Sequence, residues 1–197
     1  MTKTILFISL FLLASNCSKQ ENKNLSEVED KYIESYENWN LETDSQKKQD
    51  SVLYYMDELI NISKDDFYKI EKIKFLYRIK KNKDALSVFK SLKEQDSFMI
   101  ELLKTLIEIK DNSKNTDIVL QNIYQKYESK KLTIEENLYK IALDYYFQGG
   151  NYAIDEINNI MSKEELSESN KQLYEILQGK IQEGENSLEV LFYLYNL

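Results

Sequence analysis

Four segments of this chain line up at a fixed spacing of 34 residues: 82–89, 116–123, 150–157 and 184–191. In each, a small or short residue stands fourth (Ala85, Val119, Ala153, Ser187) and an apolar residue follows it (Leu86, Leu120, Ile154, Leu188). A second apolar residue stands four places after the small one (Phe89, Ile123, Ile157, Leu191). Recurrence at such a period marks a chain built from stacked units, none of which can bury its apolar face alone. The constant small slot fits a place where two helices cross closely.

The surrounding pattern is helical. Proline is absent and only four glycines occur, so little besides polar turns interrupts a helix. Val52, Tyr55, Met56, Leu59 and Ile60 recur at three- and four-residue spacing, as an amphipathic helix requires. Ser26-x-x-Glu29 has the capping-box pattern and predicts a helix from about Glu27 that carries Tyr32, Ile33, Tyr36 and Trp39. A polar break follows over 41–49. Ser63-x-x-Asp66, Thr133-x-x-Glu136 and Ser162-x-x-Glu165 predict further helix starts. Strand-like alternation is missing over any useful length, so the expected class is all-α.

A period of 34 residues is that of tetratricopeptide repeats, and the chain resembles that family over about residues 66–197. The first helix of each unit agrees less strictly than the second. Ile70, Ile73 and Tyr77 match Leu138, Ile141, Ala142 and Tyr145, Leu173, Ile176 and Leu177 match with a one-residue slip, and 101–110 slips further. Only two units carry the turn glycine (Gly150, Gly184), and the proline that usually closes each unit is missing. The resemblance implies a helical-hairpin solenoid. An irregular helical bundle shares the same apolar periodicity and stays open as the alternative.

The resemblance also implies a concave groove, lined by the first helices, that holds extended or helical peptides. Tyr68, Phe75, Arg78, Tyr139, Tyr146 and Phe147 would face it, and Tyr and Arg are typical recognition anchors. The competing reading of each aromatic is helix-to-helix packing. At the C-terminal end Leu188, Val190, Leu191, Phe192, Tyr193, Leu194, Tyr195 and Leu197 make a helix apolar on more than one face. Repeat arrays normally finish in a polar cap, so this helix either folds back into the array or docks on another protein.

The N-terminus bears on location. Lys3 precedes an apolar run from Ile5 to Ala14, and Cys17, the only cysteine, follows it. A basic start, a short apolar stretch and small residues before a cut describe a secretory signal, too short to span a bilayer. Leu13-Ala14-Ser15-Asn16-Cys17 resembles the lipobox of bacterial lipoproteins, departing from it at Asn16, where Gly or Ala is usual. That resemblance implies cleavage after residue 16, acyl chains on Cys17 and durable membrane attachment. Residues 17–27 then read as a flexible tether and 28–197 as the helical repeat domain. Because Ser18 is not the Asp that favours inner-membrane retention in some bacteria, the outer membrane is the preferred address.

Removal of residues 1–16 takes one basic side chain, Lys3, and leaves 25 basic against 34 acidic, a net charge of −9. That balance disfavours nucleic acid, whose binding rests on cations neutralising phosphates. It equally disfavours electrostatic attraction to anionic lipid. Histidine is absent, which removes the usual general base and the commonest metal ligand. Asp111-x-Ser113-x-Asn115-x-Asp117 opens like a calcium loop, but Thr116 and Asn122 stand where Gly and a bidentate Glu belong, so a polar turn is expected. The pairs Asp65-Asp66, Glu135-Glu136 and Glu164-Glu165 fall at expected helix starts, where acidic residues complement the helix dipole. No phosphate-binding, dinucleotide or serine-nucleophile motif occurs. No enzyme, cofactor or metal is therefore expected. The expectation is a lipid-anchored interaction scaffold of the bacterial cell envelope that holds an envelope protein or peptide in its groove, with outer-membrane protein assembly as one such role. A surface-exposed adhesin or antigen is the alternative.

Overall fold

The computed structural model describes residues 19–41, 45–93, 96–111, 115–163 and 166–197. Among these, all regular structure is helical, in ten helices. They are α1 (Lys19–Leu41), α2 (Gln46–Ser63), α3 (Asp66–Arg78), α4 (Asn82–Phe89), α5 (Phe98–Asp111), α6 (Thr116–Tyr127), α7 (Ile134–Gln148), α8 (Gly150–Lys163), α9 (Glu168–Gln182) and α10 (Ser187–Leu194). The signal-like segment and Cys17 lie outside the described residues, as do the centre of the 111–117 turn and the pair Glu164-Glu165. The chain divides into two units, 1–73 and 74–197, with the boundary inside α3.

In the first unit α1 packs along α2. The apolar stripe of α2 goes inward as its spacing dictates, with Val52, Met56 and Leu59 all buried. From α1, Val28 and Tyr32 are buried. The start of α3 is tied on by Tyr68, whose hydroxyl donates to the Glu29 carboxylate, and by Lys72, which meets Asp57 at 2.5 Å. Helix α1 starts at Lys19, eight residues before the expected start at Glu27. Residues 19–26 hold no Gly or Pro and are mostly good helix formers, so the Ser26 box falls within a longer helix.

The second unit is a run of helices that pack on their sequence neighbours: α4 with α5, α5 with α6, α7 with α8, and α8 with α9. Contacts between α5 and α7 and between α7 and α9 join alternate helices as well. Helices α4, α6 and α8 begin at Asn82, Thr116 and Gly150, successive steps of 34 residues. The position shared by Phe89, Ile123, Ile157 and Leu191 is buried in every case, and the small slot is closed at Ala85 and Ala153. In α6 the slot is offset. Val119 is 37% exposed while Leu120 is fully buried, so the helix is rotated to put its larger apolar residue inside.

Several caps agree with the sequence. Thr133 and Glu136 form the full capping box of α7. Asp65, of the Asp65-Asp66 pair, caps α3 by accepting from the Phe67 amide at 3.0 Å, and Asp66 pairs with Lys69 at 2.8 Å. Ser162 does not start α9. It lies within α8 with its hydroxyl on the Asn159 carbonyl, and α9 is capped by Ser167, which accepts from the Asn170 amide at 3.3 Å.

Candidate functional site

The end of α9 decides where the last helix goes. Gly184 sits in the left-handed region at φ 72°, its amide on the Ile181 carbonyl, and the Glu185 amide reaches back to the Lys180 carbonyl. This pair of bonds is a Schellman turn, which satisfies carbonyls that a helix end leaves open and reverses the chain. Asn186 then caps α10, its Oδ1 accepting from the Leu188 and Glu189 amides at 3.0 and 3.3 Å. Lys180 anchors the turn through the Glu185 carboxylate at 2.9 Å and lies over the Tyr193 ring at 3.7 Å. A second Schellman turn closes α10, with Asn196 at φ 57° and the Leu197 amide on the Phe192 carbonyl.

So directed, α10 folds back onto the other helices of its unit. It packs on α7 as well as on α9 and buries Val190, Leu191, Phe192 and Tyr195. Residues of α3, α5 and α7 meet it. At the end of α3, Tyr77 stacks on Phe192 with ring centroids 6.1 Å apart, and the Arg78 guanidinium donates to the Asn196 carbonyl, from Nε at 2.7 Å and also from Nη2. At the start of α5, the Met99 carbonyl accepts from the Tyr195 hydroxyl at 2.7 Å. On α7, the Tyr139 ring lies 4.5 Å from that of Tyr195, and its hydroxyl reaches the Leu194 carbonyl at 3.4 Å. Burial pushes the Tyr195 phenol well above its ordinary pKa, helped by Tyr139 and Glu136.

Two turns further along α7 the environment changes. The Tyr146 hydroxyl donates to the Asp117 carboxylate of α6, and its ring meets Phe147 edge-on at 4.9 Å. Phe147 in turn lies 5.2 Å from Tyr124. Beneath them Asp144, fully buried, accepts from the Tyr124 hydroxyl at 2.6 Å and from Lys140 Nζ at 2.9 and 3.1 Å. Burial first, then the Asp144 carboxylate, raises the Tyr124 pKa far above that of a free phenol. An open surface depression of about 400 Å³ beside Asp117 is lined by Ile118, Gln121, Asn122 and Gln125 of α6 alone.

The six residues singled out for the groove thus have different surroundings. Tyr68 belongs to the first unit, where it is buried on Glu29. Phe75 is 1% exposed and part of the packed interior, as a large aromatic gains most from burial. Arg78 and Tyr139 converge on the last turn of α10, and Tyr146 and Phe147 sit against α6. Asp144 escaped the sequence reading. Its signal is a carboxylate three places after Ile141 on an apolar stripe, with Lys140 one helical turn before it. Among the described residues, no group of three or more Cys, Asp or Glu side chains is placed to hold a metal ion, and no helix is long and apolar enough to cross a membrane. No protein-family model matches the chain, and neither a curated protein nor a solved structure does.

Proposed function

We propose that the chain is a lipid-anchored, tetratricopeptide-like scaffold of the bacterial cell envelope, outer membrane rather than inner, that holds a partner protein through a helix or extended segment. One observation carries the binding half of this reading. The face made by the end of α3, the start of α5 and α7 receives a helix, because α10 is seated on it through ring contacts and hydrogen bonds to its main chain. The repeat half is supported by second helices that begin 34 residues apart and bury the same position in each. The anchor half rests on the lipobox-like Leu13-Ala14-Ser15-Asn16-Cys17. Outer-membrane protein assembly is one setting in which such a scaffold would work.

Two measurements test the reading. Replacing Cys17→Ala moves the protein from the membrane fraction to the soluble envelope fraction and abolishes labelling by an alkyne-bearing fatty acid. Mild crosslinking in intact cells, followed by purification under denaturing conditions, yields one or a few discrete envelope partners. A chain that stays membrane-bound after Cys17→Ala, or that crosslinks to nothing, counts against the reading.

A further inference from the structure

We propose that α10 is an exchangeable occupant of the face on which it lies, and that a partner enters this face as an amphipathic helix with aromatic residues in its last turn. The proposal rests on the scaffold reading above. The polar part of the recognition ignores side-chain identity: Arg78 and Tyr139 donate to the Asn196 and Leu194 carbonyls. The Leu194 carbonyl ends the last turn of α10 and the Asn196 carbonyl lies just past its C-cap, in the closing turn near the negative end of the helix dipole, so a helix closed by the same turn would meet both donors. The apolar part is more selective. Phe192 and Tyr195, three apart and so on one face, meet Tyr77 and Tyr139, and the Tyr195 hydroxyl finds the Met99 carbonyl. Another helix with an aromatic pair at that spacing would make the same contacts.

The connection suits exchange. Helix α10 has eight residues and hangs from α9 by the single turn at Gly184. A helix this short does not persist alone, so release returns the chain entropy that docking removed and offsets much of the lost burial. Helices α5, α6, α8 and α9 have buried residues of their own, Leu106, Leu120, Ile157 and Leu177 among them. A partner therefore competes with a helix already in place, and its apparent affinity is set by the fraction of molecules in which α10 is open.

The test uses the full chain and a labelled synthetic peptide of residues 185–197 as the probe. Gly184→Ala places a Cβ where no atom lies within 4 Å, so its effect is confined to the strained backbone at φ 72°. Release relaxes that strain, and the open fraction should rise about tenfold. Hydrogen exchange should show α10 amides opening before those of α7 and α8, with exchange about tenfold faster in Gly184→Ala at α10 alone. The peptide should bind that variant about tenfold more tightly than the parent, and a peptide with both aromatics changed to Ala should not bind. Tyr195→Phe, which removes only the hydroxyl bond to Met99, is the second opening variant should Gly184→Ala fail to fold. Exchange of α10 in step with α7 and α8, or equal peptide affinity for parent and variant, overturns the proposal. So does a Gly184→Ala dimer with swapped α10 helices, in which a second copy is the occupant. Absence of any envelope partner would instead sink the scaffold reading and leave the exchange and peptide results intact.

Discussion

Asp144 offers the sharpest test of what holds the second unit together. It is a fully buried carboxylate on α7, held by the Tyr124 hydroxyl at 2.6 Å and by Lys140 at 2.9 Å. Asp144→Ala removes a hydrogen bond to a charged acceptor, worth about 1.5–3 kcal/mol, and leaves the phenol of Tyr124, which is 8% exposed, with Gln148 but without its carboxylate acceptor. Removing one member of a fully buried ion pair costs about 3–5 kcal/mol. The Lys140 side chain, 21% exposed, can turn its ammonium to water, which lowers the expected loss to about 2–4 kcal/mol. Asp144→Asn keeps an acceptor for Tyr124 and loses only the charge, so it should cost about 1–2 kcal/mol. In the double variant Tyr124→Phe, Asp144→Ala no phenol is left without that acceptor. Its loss should therefore fall short of the summed single losses by about 1 kcal/mol or more. Urea unfolding followed by circular dichroism, with unchanged m, reads the parent and the four variants, Tyr124→Phe alone included. Single losses below about 0.5 kcal/mol, or additivity within about 0.4 kcal/mol, would show that the triad is incidental to the fold.

Other consequences are briefer. Lys80 holds a left-handed conformation at φ 62° in the turn after α3, so Lys80→Gly should raise stability by about 0.5–1 kcal/mol; a loss in urea midpoint contradicts this. Thr133→Ala breaks the α7 capping box and should cost about 1 kcal/mol by the same assay, whereas no change would mean that the box is redundant. Tyr124, Tyr127, Tyr146 and Tyr195 all have folded pKa values above the usual 10, Tyr146 at about 12 through its bond to Asp117. A group raised on folding stabilises fully below its unfolded pKa and loses that contribution as pH climbs through its folded value. Stability should therefore be flat to about pH 10 and fall steeply above it, with these phenols ionising at 295 nm only as the protein unfolds. Ionisation of every tyrosine near pH 10 in the folded state would refute that assignment.

What the sequence disclosed follows from how each residue reports its environment. Where a helix has one apolar stripe, as α8 has with Ala153 and Ile157, spacing and burial coincide. Helix α5 buries Ile100, Leu102, Leu103, Leu106, Ile107 and Ile109, a broader apolar face than that of α8. Its polar side is narrow, made by Glu101, Lys104 and Glu108, so several alignments over 101–110 keep apolar residues inside. In α6 the small slot holds Val119 beside the larger Leu120, and the register moved by one residue because burying leucine removes more apolar surface. The capping-box pattern held at Thr133, where both reciprocal bonds form. It failed at Ser26, which lies inside the longer helix α1.

The aromatic face was legible as residues and illegible as an arrangement, for one physical reason. Tyr139 and Tyr195 are 56 positions apart, and Met99 and Tyr195 are 96 apart, so their meeting depends on how the chain turns at Gly184. A glycine at a repeat boundary is visible in sequence. That it reverses α10 onto α7, in preference to leaving α10 against α9 alone, is decided by tertiary complementarity. A helix apolar on more than one face buries most of that surface by lying between elements. Helix α10 does so, contacting α7 and α9 together, with Phe192 and Tyr195 turned to α3 and α7. On this face α10 gives the Leu194 and Asn196 carbonyls to Tyr139 and Arg78 and two aromatic rings to Tyr77 and Tyr139. The length of the helix bears on whether it is a fixed cap or one occupant among several. Eight residues bury few side chains for the entropy that docking removes, so the balance at this face is closer than in the helices behind it.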